Sequence, residues 1–71
     1  MMTEELVKEF LSNLPKPKDW RDGQFVYNIL NRINSKATES VRFEYNTDCF
    51  YNDNKIDNFI KYWVKIINSY E

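Results

Sequence analysis

The stretch from Ile56 to Tyr70 constrains this chain most: Ile56, Phe59, Ile60, Trp63, Ile67 and Tyr70 follow the three-four alternation of an α-helix. The spacing predicts a long helix over 54–70, the spine of whatever the chain becomes. Val64 and Ile66 widen its apolar arc beyond what two short helices cover, and a symmetric homodimer would bury the surplus. Asp57, Lys61 and Lys65 stand four apart on a neighbouring flank, with the acid-to-base step from Asp57 to Lys61 favourably oriented.

Two shorter helices are expected upstream. Thr3 is an N-cap residue, with Glu4 and Glu5 at the positive end of the peptide dipoles, and Leu6, Val7, Phe10, Leu11 and Leu14 draw one apolar stripe. Pro15 and Pro17 end that helix and make Lys16–Trp20 a connector. Phe25, Val26, Ile29, Leu30 and Ile33 repeat the same spacing. Asp19 or Asp22 can cap this second helix, and Gly23 near its start either permits a close approach to Trp20 or to the first helix, or is only a weak first-turn residue.

Between Asn34 and Asn54 the periodicity is poor. A third helix over 36–44 would turn Ala37 and Val41 inward, whereas VRFEY alternates Val41, Phe43 and Tyr45 as a brief strand does. The helix is favoured, because an isolated strand with no partner is not stable. The expectation is therefore all-α: three or four helices around one core, a single domain over residues 1–71.

With 71 residues the core is small, but 42% hydrophobic content, two Trp, five Tyr and five Phe argue against disorder. The single Cys49 cannot form an internal disulfide, and no signal-like or membrane-spanning run is present, so a cytoplasmic location is expected, without membrane association. In the absence of histidine, Cys49 reads as a small buried side chain rather than a nucleophile. Ten basic and eleven acidic residues are split almost evenly between the two halves of the chain, so neither half is built as a phosphate-neutralising surface.

TDCFYNDNKID at residues 47–57 gathers Asp48, Asp53 and Asp57, yet lacks the glycine-centred loop and terminal glutamate of a calcium site, and the chain lacks a soft-metal ligand set. The structural account is favoured: Asn54 caps the final helix with Asp57 at its third position, or Asp53 caps it directly, while Phe50 and Tyr51 pack against that helix. No metal, cofactor or catalytic pair is expected, and a chain this small has little room to enclose a substrate.

RDGQFVYNIL at 21–30 and TDCFYNDNKIDNFIKYWV at 47–64 together resemble small uncharacterised proteins of phages and bacteria. In those proteins an Arg-x-Gly-Gln segment opens a helix and an Asp-x-Phe-Tyr-x-Asp segment leads into the last one. The matching positions are Arg21, Gly23, Gln24 and Asn28, then Asp48, Phe50, Tyr51, Asp53, Ile56, Phe59 and Trp63. Cys49 stands where that pattern often has proline, which removes a rigid turn residue. The resemblance implies a compact helical unit of the kind found in small accessory proteins, and carries no reaction with it.

The favoured function is a protein-binding module, a phage accessory protein or inhibitor acting on a host protein, with Trp20, Arg21, Gln24, Tyr27, Tyr51 and Tyr62 as its binding residues. Tyr27 and Tyr62 stand off the apolar stripes of their helices. The alternative is a nucleic-acid-binding accessory protein, with Lys16, Lys18 and Arg21 holding phosphate and Trp20 stacking a base. Asp19 and Asp22 weaken that field, and Trp20 beside a helix start also suits a hydrophobic staple.

Overall fold

A computed structural model describes residues 1–70. Among these residues are four helices, α1 (Glu4–Ser12), α2 (Asp22–Ile33), α3 (Ser35–Glu44) and α4 (Ile56–Ser69), the last preceded by a 3-10 turn over Asp53–Lys55. The fold is a compact all-α bundle. Helix α4 contributes Phe59, Ile60, Trp63 and Val64 to the core and is its spine, with α1 and α3 packed against it and α2 packed on α3.

Thr3 caps α1 as its sequence predicts, its hydroxyl accepting from the Leu6 N–H at 3.1 Å. The apolar stripe of α1 is only partly covered: Val7 and Leu11 are buried, while Leu6 and Phe10 stay half in solvent. Next to the Thr3 cap, Asn68 ties the chain start to the end of α4. Its amide accepts from the Met2 N–H at 3.0 Å and donates to the Met2 carbonyl at 2.9 Å.

Asn34 alone joins α2 to α3, serving as C-cap of one and N-cap of the other. Its side chain accepts from the Ala37 N–H at 2.9 Å, so the first turn of α3 forms directly against the end of α2. Residues 41–45 are thus helical rather than extended. Ala37 and Val41 are buried at helical spacing, and Phe43, which a strand would have placed beside them, points to solvent. Asn46 follows the helix with φ of 52°, a left-handed conformation that asparagine tolerates better than most residues.

One polar side chain sits in the middle of this core. Thr38 accepts from the Trp63 indole at 3.1 Å and donates to the Asn34 carbonyl at 3.1 Å. Both hydroxyl functions and the indole N–H are thereby satisfied out of water, where leaving either unpaired costs about 1–3 kcal/mol. The wide arc of α4 is also largely absorbed: Val64 is buried and Ile66 half-buried. Exposed apolar surface lies instead on α1, at Leu6 and Phe10, and at the end of α2, at Ile33.

The helix caps differ from their expected assignment. Neither Asp19 nor Asp22 caps α2. The N-cap is Arg21, which gives no side-chain cap, and Asp22 is the first helical residue, ion-paired with Lys16 at 2.6 Å. Asn54 and Asp53 do not cap α4 either. Asn52 caps the 3-10 turn, accepting from the Asn54 N–H, and the turn runs straight into α4 with Lys55 at its N-cap position. Asp57 reaches across to Lys8 at 3.2 Å rather than along its own helix to Lys61.

Candidate functional site

The two segments on either side of α3 meet in space. Asp53 turns back and accepts from the Gly23 N–H at 2.9 Å, supplying the start of α2 with the cap that Arg21 does not give. Gly23 is required there for lack of room: a Cβ would fall 2.1 Å from the Cys49 carbonyl oxygen. The close approach expected at this glycine is therefore to the loop before α4, and not to Trp20 or α1. Cys49 is fully buried and its thiol donates to the Gly23 carbonyl at 3.3 Å.

Burial pushes the Cys49 thiol from its ordinary 9.0 up to about 12, with the Asp48 carboxylate adding to the effect. A thiol held protonated in this way is inert as a nucleophile. The three carboxylates that stand close in sequence have three separate partners: Asp48 pairs with Arg42 at 3.3 Å and accepts from the Phe50 N–H, Asp53 binds Gly23, and Asp57 binds Lys8. Among the described residues no three potential metal ligands converge.

Arg21 completes the junction. Its guanidinium donates to the Phe50 carbonyl at 2.6 Å and the Tyr51 carbonyl at 3.4 Å, and lies 5.7 Å from the centre of the Tyr51 ring. Phe50 packs edge-on against Tyr27 at 5.5 Å, and Tyr27 in turn touches Phe59 of α4 at 5.6 Å. Phe50 and Tyr51 therefore dock on α2, with Tyr27 standing between Phe50 and the final helix.

The outer face of this junction is a cleft of about 180 Å³ lined by Tyr27, Arg42, Asp48, Phe50 and Tyr51. Tyr51 on one side is 77% exposed. On the α3 side Arg42 lies 5.2 Å from the centre of the Phe43 ring, which is 73% exposed. The Tyr27 hydroxyl and then the Asp48 carboxylate raise the Arg42 pKa above its already high ordinary value, so the guanidinium is a permanent cation. Two aromatic rings thus stand in solvent, each beside an arginine.

Of the residues singled out from sequence, Arg21, Tyr27 and Tyr51 are brought together here. Gln24, half-buried, lies one turn along α2 from Arg21. Trp20 and Tyr62 lie elsewhere. Trp20 is half-buried with its ring 6.5 Å from that of Phe25, four helical positions into α2, the geometry of a hydrophobic staple. Tyr62 is half-buried and stacks on Tyr45 at 4.4 Å, sealing α3 to α4.

The group Lys16, Lys18, Trp20 and Arg21 is divided among different partners. Lys16 is ion-paired with Asp22, Arg21 is turned to backbone carbonyls, and Trp20 faces Phe25. Arg42 and Phe43 were not apparent as site residues from sequence. Phe43 stands about 200° around the helix from Val41, so an aromatic off the buried stripe of α3 was the available signal once that segment is read as helix. Comparisons of the chain with protein-family models, curated proteins and solved structures give no match. Among the described residues no helix is long and apolar enough to cross a membrane.

Proposed function

We propose that this chain is a protein-binding module, a small cytoplasmic accessory protein that inhibits a host protein by covering part of its surface. The contact is assigned to the face bearing Tyr51, Arg21, Arg42 and Phe43. The observation that supports this reading is the exposure of Tyr51, which lines the cleft, and of Phe43, which lies beside the cleft's Arg42, at 77% and 73%. Large aromatic rings held in place by arginine offer much contact area at little cost in conformational entropy, and aromatic and arginine side chains dominate binding energy at protein interfaces. Neither ring belongs to the core, so folding does not account for them.

The test is affinity capture from host-cell lysate by the purified chain, with and without nuclease, followed by mass spectrometry. A stoichiometric protein recovered in both samples and lost with Tyr51→Ala or Phe43→Ala, at unchanged helicity and melting temperature, is the expected result. Recovery that disappears with nuclease would transfer the function to nucleic acid. Recovery that survives both substitutions would place the contact on another face.

A further inference from the structure

We infer that the chain forms a two-fold symmetric homodimer through the open face between α1 and the end of α2. Leu6, Phe10 and Ile33 are 52%, 48% and 51% exposed there, and with Met2 they rim an apolar cavity of about 240 Å³ that reaches down to Leu30 and Trp63. The opposite flank of α1 also borders a hollow, of about 460 Å³, but its edge carries two ion pairs, Lys8 with Asp57 and Lys16 with Asp22. No ion pair closes the Phe10 side among the described residues. One side of α1 is finished within the monomer and the other is not.

The charges at the edge of the open face indicate what covers it. At about 100° per residue, Glu9 lies on the outer flank of α1 beyond Leu6 and Phe10, and Arg32 lies on the outer flank of α2 beyond Ile33. Both are exposed, and neither takes part in an ion pair among the described residues. The face thus has an acidic border on α1, a basic border on α2 and an apolar centre. A two-fold axis through that centre sets the acidic border of each copy against the basic border of the other, and does so twice. The same operation carries Phe10 of each copy toward the cavity of its partner. A second copy therefore meets both the apolar and the charged requirements without any other molecule being invoked. The half-exposed apolar residues alone fall short of the roughly 800 Å² per partner that a standard interface buries, so the charged border is part of the contact and the dimer is of modest affinity.

Sedimentation equilibrium of the full chain from about 1 µM to about 1 mM tests this. The expected result is a mass rising with concentration from 8.7 kDa toward twice that value. Arg32→Glu, and separately Glu9→Lys, should each weaken association about tenfold, and an equimolar mixture of the two variants should recover it. Phe10→Ser should abolish association with helicity retained; were it to unfold, the exposed Arg32→Glu variant still decides. A constant mass of 8.7 kDa across the range overturns the inference. So does an association that neither Phe10→Ser nor Arg32→Glu changes.

Discussion

Asp53 accepts a hydrogen bond from the Gly23 N–H at 2.9 Å and so caps a helix that begins thirty-one positions before it. The capping bond closes a loop containing all of α3, and makes the start of α2 depend on the correct folding of the segment before α4. Exposure of the carboxylate does not remove this role, because what it satisfies is an N–H that has no partner within its own helix.

Asp53→Ala is expected to destabilise the fold by about 1 kcal/mol, the ordinary cost of a lost N-cap, with Asp53→Asn retaining most of the stability because an amide oxygen accepts the same bond. Urea unfolding of the two variants checks this. Equal losses would mean that the carboxylate charge at the helix start, and not the bond, is what matters.

Gly23→Ala sets two effects against each other. Alanine favours a helix over glycine by up to about 1 kcal/mol. Its Cβ, however, would sit 2.1 Å from a backbone carbonyl that also accepts from the Asn52 N–H, so the neighbour cannot swing aside as a flexible side chain would. Overpacking wins, with a net loss of about 2 kcal/mol and a fall in Tm of roughly 10 °C. An unchanged or higher Tm would show that the loop at Cys49 yields freely.

Cys49 makes stability depend on alkaline pH. Its thiol ionises near 9.0 when unfolded and only at about 12 when buried. The folded-state pKa is raised, so the full contribution is present below the unfolded value and is lost as pH climbs through the interval between the two. The slope approaches about 1.4 kcal/mol per pH unit within it. Urea unfolding at about pH 8 and about pH 10.5 should show a larger drop for the wild-type chain than for Cys49→Ala, which lacks the buried thiol. A thiol reagent should likewise modify Cys49 no faster than the chain opens.

The indole–hydroxyl bond of Trp63 and Thr38 predicts coupling. Trp63→Phe removes a buried bond and some volume, for about 2 kcal/mol, and Thr38→Val strands the indole N–H at a cost of about 1–3 kcal/mol. The double variant should lose less than the sum by about 1 kcal/mol, because neither buried group is then left facing an absent partner. Strict additivity in a double-mutant cycle would falsify the assignment.

The sequence by itself determined the class of fold and the inward faces of its helices. Thr3 as a cap, Ala37 and Val41 in α3, and Phe59, Ile60 and Trp63 in α4 are set by the period of the helix, which is a local property of consecutive residues. Only the tertiary structure decided the junctions. Several carboxylates stand near each helix start in sequence, and any that reaches an unpaired N–H will serve; the bundle's geometry gave α2 a cap from Asp53 and left Asp22 to Lys16. The same holds for the aromatics. Whether a ring off the main stripe is covered depends on what lies opposite it: Tyr62 has Tyr45 and Tyr27 has Phe50, while Phe43 and Tyr51 face solvent. Helical periodicity shows which side chains leave a helix together, and only the packing of one helix on another shows what they meet.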